Sequence, residues 1–172
     1  PAIRVNAGKL RLLSGTSLSD GANLVVTSPG VFDLNDKSET ISTISGSGTI
    51  TSTSASNTLT LLNANTDVTS STFSGILGSV SITKNGTGTL LLSSDNSTTY
   101  TGVTTIGNGI LQISNGGALG TAASSTTISP TGTLQIVGDN LTVTEAITIN
   151  GDGYNSLGAI SNTTGSNTLS GT

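Results

Sequence analysis

The chain contains no cysteine, histidine, methionine or tryptophan. Without cysteine it can form no disulfide and no thiolate metal site. Without histidine as well, the Ser-His-Asp, Cys-His and zinc arrangements all lack their parts. Charge is scarce too, at 8% of residues, against roughly 25% in a typical soluble domain. The basic residues are Arg4, Lys9, Arg11, Lys37 and Lys84, and none follows Lys84. The net charge of −4 therefore resides in the second half, on Asp95, Asp139, Glu145 and Asp152. Phosphate backbones and anionic lipid surfaces are held by clustered Lys and Arg, so nucleic acid and charged membranes are poor partners for this composition. No apolar run approaches the ~20 residues of a membrane-spanning helix, so no membrane insertion of this segment is expected. Nothing in the sequence calls for a cofactor.

What remains is glycine (23 of 172 residues), Ser, Thr, Asn and aliphatics, with 33% hydrophobic residues and a mean hydropathy of +0.14. A Gly/Ser/Thr-rich chain is either a flexible linker or a β-rich solenoid with an uncharged polar exterior. The apolar content is high for a linker, and the apolar residues alternate in short bursts, as half-buried strands require. Order is the expectation.

Reading from Pro1, Ile3 and Val5 form the first burst. In Gly8-Lys9-Leu10-Arg11-Leu12 the leucines alternate with basic residues, which places leucines inside and charges outside. Leu24 and Val26 follow, then a Ser28-Pro29-Gly30 corner before Phe32 and Leu34. Ile41, Ile44, Ile50, Leu59 and Leu61 continue the pattern. Residues 63–78 are less regular, with Phe73 and Ile76 as apolar anchors. Val80 and Ile82 restart the alternation, Leu90, Leu92, Leu111 and Ile113 carry it on, and Ser129-Pro130 reads as another corner. Leu134, Ile136, Leu141, Val143, Ile147 and Ile149 precede Gly151-Asp152-Gly153, and Ile160 and Leu169 close the series. Apolar residues never recur at helical spacing for more than a turn, so no helix is predicted.

Glycine-led strands begin at Gly8 and Gly30 and again at Gly88, Gly109 and Gly132, at spacings of 22, 21 and 23 residues. A longer offset of 101 superimposes Gly8, Leu10 and Leu12 on Gly109, Leu111 and Ile113, and Ser28-Pro29 on Ser129-Pro130. One inserted residue later, Gly30, Phe32 and Leu34 meet Gly132, Leu134 and Ile136. Two related units, about 8–84 and 85–172, thus lie within a single segment spanning 1–172. A period of about 22 with two or three short strands fits one coil of a parallel β-helix, because a single coil cannot bury its aliphatic face and stacking can. The predicted fold is an all-β right-handed parallel β-helix of roughly seven or eight coils, about 35–40 Å long at ~4.8 Å per coil. An antiparallel sandwich would need hairpins every 8–12 residues, for which Asn85-Gly86 and Asn115-Gly116 are the suitable dipeptides.

Lys84 to Gly120 resembles the autotransporter-associated β-strand repeat of bacterial type V passenger domains and related surface proteins. The matching residues are Gly86-Thr87-Gly88-Thr89-Leu90-Leu91-Leu92-Ser93, Thr99-Tyr100-Thr101-Gly102 with Thr104-Thr105-Ile106, then Gly109-Ile110-Leu111 and Ala118-Leu119-Gly120. Leu92 to Tyr100 is two residues longer than the usual motif. The resemblance implies a right-handed β-helix that is exported and displayed at the cell surface, acting as stalk, adhesin or scaffold. Neither a signal peptide nor a translocator barrel is seen in this sequence. Both ends fall within patterned sequence (AIRV and NTLSGT), as in a segment of a longer repeat protein.

Catalysis by a carboxylate pair needs two acids converging in a cleft. Asp33, Asp36 and Glu39 are the only dense acids, beside Lys37, and a polysaccharide-active enzyme built on them is the weakest of three readings. The chain is expected to be non-enzymatic. Gly151-Asp152-Gly153 reads as a turn, since one carboxylate is a poor calcium site. Tyr100 and Tyr154 are the candidates for sugar contact, in a carbohydrate-binding reading; against this, a tyrosine at a coil corner tends to pack over the aliphatic stack. Thr-x-Thr pairs at Thr49/Thr51, Thr58/Thr60, Thr131/Thr133 and Thr142/Thr144 invite comparison with threonine arrays that bind ice. Unequal loop lengths argue against a regular array here, and threonine is common in strands. Sequons occur at Asn85, Asn96, Asn140 and Asn162. The leading expectation is a structural or adhesive segment at the cell surface, whose partners are copies of itself end to end or surface glycans.

Overall fold

A computed structural model describes residues 1–62 and 70–171. The chain winds as a right-handed parallel β-solenoid of about 7 turns, with about 22 residues in each coil. Each coil presents three sides in a fixed order. The first coil supplies β1 (Ala2–Val5) and β2 (Lys9–Arg11), and the second β3 (Asn23–Val26), β4 (Val31–Asp33) and β5 (Glu39–Ile41). The third supplies β6 (Thr43–Ser45), β7 (Thr49–Thr51) and β8 (Thr58–Leu61), and the fourth β9 (Ser70–Phe73), β10 (Ile76–Leu77) and β11 (Ser81–Lys84). Beyond β12 (Thr89–Leu92), two long strands, β13 (Thr104–Ile113) and β14 (Ser125–Ile136), bend around the corner from the third side onto the first. β15 (Thr142–Val143), β16 (Ala146–Ile149), β17 (Ile160–Asn162) and β18 (Thr168–Leu169) complete the rod. One 3-10 turn, Tyr154–Ser156, is the only helical element among the described residues.

All ladders among the described residues are parallel, and each strand meets its counterpart one coil away. Asn85-Gly86 and Asn115-Gly116 are therefore corners, and the sandwich alternative is excluded. Register stacks the aliphatics into columns: Leu10, Phe32 and Ile50 on the second side, and Leu90, Leu111 and Leu134 on the first. Phe32, Ile50, Leu90, Leu111 and Leu134 have no exposed surface. Ser129-Pro130 is a bend within β14 where the register slips by one residue, between the Ile106↔Ile128 and Asn108↔Thr131 pairs.

Some expectations change with the register. Leu10, in the first coil, is 40% exposed, whereas Leu12 is buried. Ile76 points outward, and its neighbour Leu77 takes the inward place opposite Ile50. Residues 63–69 of the irregular 63–78 stretch lie outside the described residues. The glycine-led strands also occupy two different sides. Gly8, Gly30 and Gly48 precede second-side strands, whereas Gly88, Gly109 and Gly132 lead into the first side. The 101-residue offset is therefore not a whole number of turns.

Candidate functional site

The second side has no strand in the fifth coil, and Asn96 takes the place of one. Its side-chain carbonyl accepts the Leu77 N–H at 2.9 Å, while its own N–H donates to the Gly117 carbonyl at 3.0 Å. A single asparagine thereby carries the ladder across the gap, within the Leu92–Tyr100 stretch. Asn96 is 1% exposed, so this sequon is closed to a glycan, whereas Asn85, Asn140 and Asn162 are exposed.

Directly after this gap the chain drives Tyr100 into the interior, where it has no exposed surface. The phenol donates to the Val103 carbonyl at 3.0 Å and lies 2.9 Å from the Thr104 hydroxyl. Burial pushes the phenol well above its ordinary pKa, and the nearby Glu145 carboxyl adds to the shift. The surface-contact role expected of Tyr100 is thus corrected: no sugar ring can stack on a ring without exposed surface. Tyr154, in the 3-10 turn, is half-buried.

Tyr100 belongs to a buried polar file. Thr104 pairs in register with Thr126 one coil on, both in inward positions, and the Thr126 hydroxyl donates to Glu145 Oε1. Glu145 is 2% exposed and its Oε2 has no hydrogen-bond partner. Burial pushes this carboxyl up from 4.5 to about 7, opposed only in part by the Thr126 bond. Lys84 is buried as well, inside the corner where β13 turns, and its ammonium donates to the carbonyls of Gly86 and, at 3.2 Å, Asn108. Burial lowers its pKa from 10.5 to about 8. The alternation of the sequence marks both residues as inward. Glu145 continues the inward alternation of Val143 and Ile147, and Lys84 that of Val80 and Ile82.

The acidic group separates into individually held carboxylates. Asp33 accepts the Asn35 N–H (3.0 Å), the Arg11 Nε (3.0 Å) and, at 3.5 Å, the Lys9 ammonium. Burial alone would raise the Asp33 carboxyl, but these partners outweigh it and hold the pKa below the usual value. Asp36 accepts from the Thr53 hydroxyl and the Asn57 amide. Glu39 accepts the Leu18 N–H at 3.1 Å and the Thr40 N–H at 3.3 Å. No two of the three acids share a partner. Gly151 and Gly153 adopt positive φ, and the Asp152 carbonyl accepts the Gly158 N–H, so this segment is a turn. Among the described residues, no group of three or more acidic side chains is placed to hold a metal ion.

No family model, curated protein or solved structure matches this chain.

The four Thr-x-Thr pairs do not make one array, because they fall on different sides. Thr49/Thr51 and Thr142 lie on the second side, Thr58/Thr60 on the third, and Thr131/Thr133 in the part of β14 that forms the first. A different set of threonines does align. Thr40, Thr60, Thr83, Thr105, Thr127 and Thr148 pair in unbroken succession through β5, β8, β11, β13, β14 and β16.

Proposed function

We propose that this chain is a non-enzymatic structural segment of an exported bacterial surface protein, serving as a stalk, adhesin passenger or filament unit. The observation that carries the reading is the ladder itself: each coil is bonded to the next by parallel strand pairs on at least two sides, so length is added by repetition and the rod resists bending. The resemblance of Lys84–Gly120 to passenger-domain repeats supplies the cellular setting. The test is to place the chain between a secretion signal and a translocator barrel in a bacterial host and to probe intact cells with antibody and protease. Surface exposure of a folded segment is the expected result, and retention inside the cell would remove the export reading.

The outer edges of the end coils support association of copies. β1 and β2 each pair along one edge within this segment, and the other edge is one on which a neighbouring coil or another copy would pair. Arg4, Lys9 and Arg11 lie in the first coil, while Asp139 and Asp152 lie in the last ones, so head-to-tail contact is electrostatically favoured. Sedimentation at rising salt reads this directly: association that weakens with salt is expected, and salt-independent behaviour would exclude charge steering. The glycan reading now depends on Tyr154, and a glycan array comparing the native chain with Tyr154→Ala decides it.

A further inference from the structure

The third side carries a feature that a stalk does not require. The six aligned threonines form one column, one residue per coil, although they are separated in sequence by 20, 23, 22, 22 and 21 residues. The unequal loops are absorbed at the corners, and the ladder restores the register. Thr127 and Thr148 are exposed and the other four are half-buried. The inward Thr126 and the outward but covered Thr133 spend their hydroxyls on Glu145 and the Gly158 carbonyl. By contrast, none of the six column hydroxyls bonds another described residue. On every one of these strands the positions two residues before and two residues after the threonine are uncharged, and all of them but Ser42 and Ser81 reach the surface. The charged side chains near this side, Glu39, Lys84 and Glu145, point into the core.

We propose that this threonine face is a binding surface for ice, a lattice of hydrogen-bonded water. Parallel pairing sets the threonine repeat at ~4.8 Å along the rod, and outward neighbours on one strand lie ~6.6 Å apart. β-branching leaves little χ1 freedom, so each hydroxyl and methyl is held in a fixed place before any ligand arrives. A rigid two-dimensional repeat of this kind complements a crystal plane of similar spacing rather than an irregular partner. The charge pattern agrees. A charged group would keep its own hydration shell, which a water lattice cannot accommodate, and this face presents no charge.

Size disfavours a second copy as the occupant. The column is about 24 Å long and its three outward positions span about 13 Å, roughly 300 Å² in all. A stable protein interface buries about 800 Å² on each partner. A sugar polymer is disfavoured because the face offers no aromatic ring for a pyranose to stack on.

The test grows ice slowly from a solution of the purified chain and measures its partition between ice and liquid, together with inhibition of ice recrystallisation. The native chain is expected to enter the ice and to restrain recrystallisation. The Thr83→Tyr/Thr105→Tyr double variant, which breaks the plane at its centre, should lose both effects. Thr142→Tyr, an exposed position on the second side, should retain them. Circular dichroism establishes that each variant is folded. Should the tyrosine pair not fold, Thr105→Lys puts a charge and its hydration into the same plane at an exposed-side position and is expected to give the same loss. A native chain excluded from ice, or a folded central variant that partitions as the native chain does, overturns the proposal. Concentration-dependent dimerisation abolished by the same substitutions would overturn it too, and would assign the face to a second copy.

Discussion

The N-terminal and C-terminal halves of the rod solve the same corner problem at different corners. In the first half, glycines stack between the first and second sides: a Cβ on Gly48 would lie 2.6 Å from the Gly30 carbonyl oxygen, and one on Gly75 only 2.0 Å from that of Gly48. In the second half the close approach moves to the corner between the third and first sides, where a Cβ on Gly109 would meet the Gly86 carbonyl oxygen at 2.2 Å. The glycine-led Leu-x-Leu strand is thus a portable unit that any side can use. The halves also place charge differently. The first half pairs the buried Asp33 with partly exposed Arg11 and Lys9 and, at its end, buries Lys84 on backbone carbonyls, whereas the second buries Glu145 without any counter-ion.

The largest effects should come from the core columns. Phe32→Ala in the first half should cost about 3–5 kcal/mol and Leu111→Ala in the second about 2–5 kcal/mol, by leaving cavities that a narrow core cannot close. Thermal or denaturant unfolding measures both, and an effect confined to one half would show that the halves melt separately.

Corner glycines come next. Gly109→Ala is expected to cost about 3 kcal/mol, because φ is +73° and the new Cβ would strike the backbone of the coil below. Gly8 also has positive φ but nothing within 4 Å of a Cβ, so Gly8→Ala should cost clearly less. Equal losses at the two positions would mean that φ, not the stacking of coils, sets the requirement for glycine.

The buried charges give the halves opposite pH responses. Glu145 has a raised pKa in the fold, so the native state holds the extra proton between pH 4.5 and about 7, and stability should fall as pH rises through that window. Glu145→Gln should remove this slope, worth on the order of 2–3 kcal/mol. Lys84 has a lowered pKa, so the unfolded chain holds the extra proton between about 8 and 10.5, and stability should rise with pH there. Asp33 in the first half has a lowered pKa, and its contribution should be lost only as acid protonates it below its ordinary value of 3.8. Unfolding midpoints across pH for the native chain and Glu145→Gln read all three trends.

The smallest effect is expected at the partly exposed ion pair. Arg11→Ala should cost about 1 kcal/mol or less, since Lys9 and the Asn35 N–H remain on Asp33 and solvent screens the rest. A greater loss would show that the first half depends on its ion pairs as the second depends on its buried polar file.

Alternation and the glycine period were enough to determine that the chain folds as a parallel solenoid with aliphatic columns inside. Both are local: a strand shows two faces with a period of two, and a corner needs glycine wherever backbones approach closely. Which side a given strand occupies was not legible, because it depends on the summed lengths of all the loops before it. That sum displaced the two sequence units by a fraction of a turn and took Tyr100 from a presumed surface position into the core. It also aligned six threonines that no fixed spacing connects. The sequence by itself determined which face of most strands turns inside, Tyr100 and Ile76 being exceptions. Only the stacked structure decided which residues from distant coils stand together, because register is set by backbone hydrogen bonds between coils and not by distance along the chain.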